Sequence, residues 1–368
     1  MSTPEPVRTR CVTYFHGFDP ASSKRYRRIF ATSAERLTLD IQDLPDTPDG
    51  WRAQRGETTT DIRLARYAEQ VRAYQDRSMP ARLGRGVRTI LAYILDGSGF
   101  QIARHAPRAA LLALTPLLAT LLPFVLIARA MAPESPLEIA TLLGIGLGLL
   151  LLAKHTFLLL VSDLFAFYRE IASGTSRTYQ DYRACIAERT RTIRQTEVDE
   201  RLIVGHSLGG IAAIFATADL LDTHSDSKRL GLITLGSNHG LILLQRGKGR
   251  EDLADAIARI ARDPRVFWLD VSSPRDAFCL PLTDPLTLID TNPEMTSPRV
   301  ISAQLSQAPK IPGDRRTLFA AMRRHMGYLL APSESDSFDY VNTVTGTQSL
   351  QIRYAARNNS PKAQMWRC

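Results

Sequence analysis

Cysteine is scarce in this chain, and its placement suits none of its structural uses. The 368 residues hold four, Cys11, Cys185, Cys279 and Cys368, with no C-x-x-C pair and no histidine at zinc spacing. That argues against a zinc site and against the disulfide framework of a small secreted domain, leaving free thiols in a reducing compartment. Nor does MSTPEPVRTRCVTYFHGF contain an apolar run before its first strand-like segment, so no secretory signal is expected. No internal repeat or low-complexity linker divides the chain. Acidic residues fall short of basic ones, 37 against 46, for a formal charge of +9. Such an excess suits an anionic neighbour, either nucleic acid or an acidic membrane surface. No nucleic-acid-binding module accompanies the arginines, whereas a long apolar block does, so the expected partner is a membrane rather than nucleic acid.

That block has two parts. AALLALTPLLATLLPFVLIARAMA (109–132) is uncharged from Ala109 to Ile127, close to the ~20 residues that cross a ~30 Å hydrocarbon core. Pro116 and Pro123 would be costly inside a soluble helix but are tolerated in membrane helices. After a short turn, IATLLGIGLGLLLLAKHTFLLLV (139–161) follows, its uncharged stretch ending at Lys154, which would snorkel to the headgroups. Gly144 and Gly148 have the G-x-x-x-G spacing that lets helices approach closely. The expectation is a two-helix transmembrane hairpin, with a buried or interfacial hairpin such as a lid as the alternative. Arg82, Arg85, Arg88, Arg104 and Arg108 precede it, while the turn offers Glu134 and Glu138 beyond Arg129. The basic flank places both termini, and the remaining domain, on the cytoplasmic side.

Outside the hairpin, strand-like and helix-like segments alternate. CVTYFHGF, TLDIQDL and TTTDIRLARY read as strands before it; RLIVGHS, LGLITLGS and RVFWLDVSS read as strands after it. SSKRYRRIFATSAERL, TYQDYRACIAERTRTI, LGGIAAIFATADLL and EDLADAIARIARD read as helices. This alternation implies an α/β fold with a mostly parallel sheet flanked by helices. The organisation is therefore one α/β domain in two parts, 1–108 and 162–368, interrupted by the hairpin at 109–161.

Within RLIVGHSLGGIAAIFA, the pattern G-x-S-x-G lies between an apolar strand and a small-residue helix. A turn that sharp strains the serine backbone, and Gly205 and Gly209, either side of His206-Ser207-Leu208, keep side chains out of it. Ser207 would stand clear of the sheet at a helix N-terminus, with the Leu208 N–H ready to stabilise an oxyanion. The plainer alternative is a serine capping the helix.

A nucleophilic serine needs a base, and the base needs an orienting carboxylate. Of the later histidines, His224 lies in the polar turn DTHSDSK, and His239 comes too early to follow an acid. His325, in AAMRRHMGYLL, is the expected base. Asp276, in VFWLDVSSPRDAF, sits just past a strand's carboxyl end, where active-site groups collect in open α/β sheets. Asp270 and Asp284 are its reserves. In YFHGF, Gly17 or Phe18 would supply a second oxyanion N–H, and His16 would support the loop.

FHGF, GHSLGG, VSSPRDAFCLPL and RRHMGYLL together resemble the α/β-hydrolase superfamily, and within it the lipase-like branch. The likeness covers roughly residues 10–50 and 195–330. It implies an α/β-hydrolase fold, a Ser207–Asp276–His325 triad, an oxyanion hole at Leu208 and the Phe18 region, and no metal or organic cofactor. The inserted hairpin is a departure from that branch. The expected activity is hydrolysis of an acyl lipid or other hydrophobic ester through an acyl-enzyme. An acyltransferase using the same triad, cleavage of a thioester or peptide, and a membrane-tethered scaffold on a hydrolase fold remain as rivals.

Overall fold

The computed structural model describes residues 5–19, 22–45, 47–65, 67–115, 129, 136, 138–142, 144, 157–193, 197–222, 230–290, 294–303, 305, 320–332 and 338–356. A single eight-stranded sheet organises them. Its strands are β1 (Thr9–Phe15), β2 (Asp40–Asp43), β3 (Gly50–Arg55), β4 (Thr58–Leu64), β5 (Glu200–His206), β6 (Leu230–Leu235), β7 (Val266–Ser272) and β8 (Arg299–Ser302), in the order β2-β3-β4-β1-β5-β6-β7-β8. All pairs from β4 through β8 are parallel, and β2-β3-β4 form an antiparallel meander at one edge. The burial follows the topology. β1, β5 and β6 are buried along nearly their whole length, as apolar central strands covered on both faces must be. β4 alternates buried and half-buried residues, the period of a strand covered on one face.

Helices cover the sheet: α1 (Ser22–Arg36), α2 (Ala68–Gln75), α3 (Met79–Leu95), α4 (Ser98–His105), α5 (Phe157–Ser173), α6 (Arg177–Ile193), α7 (Leu208–Leu221), α8 (His239–Leu243), α9 (Lys248–Arg262), α10 (Ala320–Met326), α11 (Tyr340–Thr345) and α12 (Leu350–Tyr354). α7 is apolar all round because it is enclosed all round, by the sheet, α6 and α9. The alternating segments expected from sequence are these elements. Two strands were not anticipated. GWRAQR (β3) directs only Gly50, Trp51 and Ala53 into the core, and its arginines and glutamine disguise it; pairing with β4 across the turn at Gly56 (φ 58°) makes it a strand. β8 is four residues long and is defined by its pairing with β7.

Most of the expected hairpin, 116–156, lies outside the described residues apart from isolated positions. Among the described residues, no helix is long and apolar enough to cross a membrane. At its margins the chain is helical at 107–115, with Ala109 buried, and α5 runs through residue 161 with Leu159 and Val161 in the core. Not all of the basic flank faces outward, either. Arg82 and Arg85 turn inward to Asp163 of α5, Arg82 through Nε at 2.8 Å and Arg85 through Nη2 at 2.8 Å. Arg85 also lies 3.8 Å over the Tyr74 ring. Two arginines counted in the basic flank are thus the tie between α3 and α5.

A second internal charge pair joins the far end of the sheet to the C-terminal helices. Arg10 and Glu200 face each other in the β1–β5 register, with Nε 2.6 Å from Oε2, and both are almost wholly buried. The remaining guanidinium N–H groups donate to the Val344, Gly346 and Gln348 carbonyls, and Glu200 Oε1 accepts the Leu350 N–H at 2.6 Å. Arg10→Met should lower the unfolding free energy by about 3–5 kcal/mol, because Glu200 keeps its charge in a dry site without a partner. Denaturant titration of the full chain measures it, and a loss under 1 kcal/mol would mean that the pair is not structurally required.

Candidate active site

Ser207 occupies the turn between β5 and α7 with φ 58° and ψ −126°, a conformation L-residues adopt only when the surroundings enforce it. Its hydroxyl makes no capping bond to α7, so this is a strained elbow and not a helix cap. The glycines show what enforces it. A Cβ on Gly205 would collide with the Gly209 carbonyl, and one on Gly209 with the Phe15 and His16 carbonyls. Gly210, not singled out from sequence, clears Ser237 in the same way. These close approaches bring the end of β1 against the elbow: a Cβ on Gly17 would lie 3.1 Å from Ser207 Cβ and 3.5 Å from its Oγ.

His325, in α10, sits over the other side of the elbow. Its Nδ1 lies 2.9 Å from Asp276 Oδ2, so the ring proton is on Nδ1 and Nε2 is left as an acceptor. Asp276 also accepts the Phe278 N–H at 2.9 Å and the Tyr328 hydroxyl at 3.0 Å. Burial pushes this carboxyl up, but His325 and these donors outweigh it and hold it below the usual carboxylate range. Ser207 and His325 line one small cavity of about 30 Å³, along with Phe18, Leu160, Leu164, Phe278, Met322 and Met326. In this resting arrangement the Ser207 hydroxyl donates to Asn238 Oδ1 at 3.2 Å rather than to His325. Asn238 is itself held by its Nδ2 on the Phe278 carbonyl.

On the oxyanion side the two alternatives, Gly17 and Phe18, differ in how their N–H groups are engaged. Gly17 N–H is already engaged, donating to the Tyr26 hydroxyl at 3.1 Å. Phe18 N–H makes no hydrogen bond to a described residue, and Leu208 N–H, at the first position of α7, has no intrahelical acceptor. Those two amides are left without a hydrogen-bond acceptor among the described residues. His206 ties the parts together: Nε2 lies 2.8 Å from the His325 carbonyl and Nδ1 3.5 Å from the Tyr26 hydroxyl. One direction of donation satisfies the chain, from Gly17 N–H to Tyr26, from Tyr26 to His206, and from His206 to His325. Burial, and next the neighbouring His325, lower His206 to about 3, so it stays neutral.

The other candidates are occupied elsewhere. Asp270 accepts the Thr234 hydroxyl at 2.5 Å, and Asp284 caps a short turn through the Leu286 N–H. His239 packs edge-on against Trp268, and His16 stacks on Tyr67 with ring centroids 4.1 Å apart. His224 lies outside the described residues. Sequence reading missed Tyr26, Asn238 and Tyr328. Asn238 follows β6 at a strand's carboxyl end, the same signal that marked Asp276, and Tyr328 lies one turn after His325. Among the described residues, no group of three or more histidines, cysteines and acids is arranged to hold a metal ion.

An elbow serine on a mostly parallel sheet, facing a histidine and a buried aspartate, defines the α/β-hydrolase class. Residues 161–239, from α5 through the elbow to the start of α8, match the family described as lipase (class 3). That segment, about a fifth of the chain, supports a lipase-like member of the α/β-hydrolase superfamily. No curated protein and no solved structure matches the chain.

The buried histidines generate a pH dependence of stability. Burial lowers His16 to about 4, His206 to about 3 and His239 to about 4, each below its ordinary value. The unfolded chain therefore takes up protons at these sites below about pH 6.5 that the fold refuses, and stability is lost as pH falls. Asp270, which burial raises to about 7, opposes this, since its stability is lost as pH rises through 7. Three protons gained by the unfolded state against one by the folded state leave a net fall of about 2–3 kcal/mol per pH unit between about pH 6.5 and 5. Denaturant titration across that window should show the fall, and His239→Gln should reduce its slope by about half; a flat profile would contradict neutral burial.

Proposed function

We propose that this protein is a membrane-anchored serine hydrolase that cleaves an acyl lipid or another hydrophobic ester through an acyl-enzyme. The observation that carries the reading is the strained Ser207 sharing one cavity with a His325 whose Nδ1 is bound to a buried, ionised Asp276. Ser207 rotates from Asn238 to His325 Nε2, loses its proton there and attacks the ester carbonyl. The oxyanion takes the Leu208 and Phe18 N–H groups, Asp276 holds the imidazolium, and His325 returns its proton to the leaving alcohol. Water, deprotonated by the same imidazole, then clears the acyl group. The cavity walls of Leu160, Leu164, Phe278, Met322 and Met326 suit a hydrocarbon chain. The apolar sequence of 109–132 and 139–161, apart from the ends that pack into the domain at Ala109 and at Leu159 to Val161, anchors the chain as a hairpin, with the catalytic domain on the cytoplasmic face, so that the bilayer supplies substrate at high local concentration.

A fluorophosphonate probe should label the full-length protein in detergent, and labelling should vanish in Ser207→Ala and His325→Ala. A folded but unlabelled wild type would overturn the nucleophile. Against a hydrophobic ester, Asp276→Asn should lower kcat by about 10⁴-fold, since the imidazole loses the partner that fixes its tautomer and its charge. Steady-state kinetics on the purified variant measures this, and a loss below tenfold would remove Asp276 from the triad. Products formed with and without added alcohols separate hydrolysis from acyl transfer.

A further inference from the structure

The exposed large hydrophobic side chains among the described residues are Leu91, Ile94, Leu95, Phe100, Leu111 and Leu114, all within one short stretch of chain. Scattered singly they would call for no explanation, but all six fall on α3, α4 and the helical residues 107–115, which follow one another directly in the chain. Leu95 is 85% exposed, Phe100 68% and Ile94 67%. The stretch is amphipathic in its own right. On α3, Arg85, Thr89 and Tyr93 recur at four-residue spacing and are buried, with the Tyr93 hydroxyl on the Phe165 carbonyl at 3.0 Å. Arg88, Leu91 and Leu95 follow the opposite face. After the Asp96–Gly97 turn, α4 buries Ser98 and Ile102 and exposes Phe100 and Arg104.

The charges on this face have one sign. Arg88 and Arg104 are exposed, and neither has an acidic partner among the described residues. The single acid between 79 and 115 is Asp96, which is held by Arg169 at 2.7 Å. We infer that α3, α4 and the helical residues 107–115 form an interfacial seat, laid on an anionic bilayer with Leu91, Ile94, Leu95 and Phe100 in the acyl-headgroup boundary and Arg88 and Arg104 on lipid phosphates. Unpaired arginines interleaved with exposed leucine, isoleucine and phenylalanine match the chemistry of such a surface. The seat also runs straight into the apolar block from Ala109 onward. This inference rests on the membrane reading proposed above and adds to it where the catalytic domain stands.

The seat is mechanically joined to the site. Arg82 and Arg85 of α3 hold Asp163 of α5, and Leu160 and Leu164 of α5 line the catalytic cavity. Arg108 donates to the Pro274 carbonyl, two residues before Asp276. Seating the face therefore fixes the position of the cavity relative to the bilayer, and α5 lies between the two.

The test uses the full-length Cys368→Ser chain, labelled with bimane at Phe100→Cys and reconstituted into vesicles of phosphatidylcholine with or without phosphatidylglycerol. Cys11, Cys185 and Cys279 are buried and should not react. Brominated acyl chains should quench the label in the anionic vesicles, with little quenching in the neutral ones. Arg88→Gln and Arg104→Gln should each lower the seated-to-unseated ratio about fivefold. A label that aqueous iodide quenches, on protein retained through an alkaline carbonate wash, would overturn the seat and leave the anchor standing. Quenching by lipid before the wash, with release of the protein during it, would support the seat and overturn the anchor. Release with no lipid quenching would overturn both. A label already shielded from iodide in the absence of lipid would mean that the chain's own apolar segment or a second copy covers the face, and would overturn the seat.

Discussion

Everything at the site depends on how closely the backbone packs around Ser207. A residue held at φ 58° and ψ −126° costs about 1–3 kcal/mol, and three glycines make that geometry reachable. Gly205 lets β5 and α7 fold back on each other, and Gly210 clears Ser237 beyond β6. Gly209 has the larger consequence, because it lets α7 rest against the carbonyls at the end of β1. That contact delivers the Gly17–Phe18 backbone to the serine. The strain at Ser207 and the nearness of the Gly17–Phe18 backbone are thus two results of one packing constraint.

A directional hydrogen-bond chain then extends this constraint to the base. Tyr26 on α1, His206 on β5 and the His325 carbonyl at α10 come from parts of the sequence far apart, and His206 touches both of the others. The residue between glycine and serine in G-x-S-x-G is therefore a strut. It serves that purpose because burial keeps it neutral: a charged His206 would lose its acceptor at Nδ1 and stand beside His325 with like charge. The relay also occupies the Gly17 N–H, one of the two donors weighed for the proposed oxyanion hole. Its N–H is the first link of the strut, which leaves the amide after it free.

Local chemistry explains what could be read in the sequence. GHSLGG compresses a strand, a turn and a helix into one motif, and β1, β5, β6 and β7 are apolar enough to declare themselves. Asp276 and His325 are brought together as their order and loop positions suggested. Properties of direction and pairing were not legible. The charges of Arg82 and Arg85 are visible in the sequence, but their inward turn toward Asp163 is set by a helix some eighty positions away. β3 carries too much charge to look like a strand until β4 lies beside it. Asn238 reads as a turn residue until Ser207 is seen to donate to it.

Between the two buried acids near the end of β7, the number of donors favours Asp276 as the proposed acid. Asp270 and Asp276 are equally withdrawn from water, and burial raises both. Asp270 has the Thr234 hydroxyl, itself shared with the Trp268 indole N–H, and it rises to about 7. Asp276 has an imidazole, a backbone amide and a phenol, and it falls below the ordinary range. A carboxyl that is half neutral near pH 7 would offer an imidazolium only part of a counter-charge, whereas Asp276 offers it all. Tyr328 and the Phe278 amide are therefore as much a part of the proposed acid as the carboxylate they surround. Removing the phenol alone moves Asp276 toward the behaviour of Asp270.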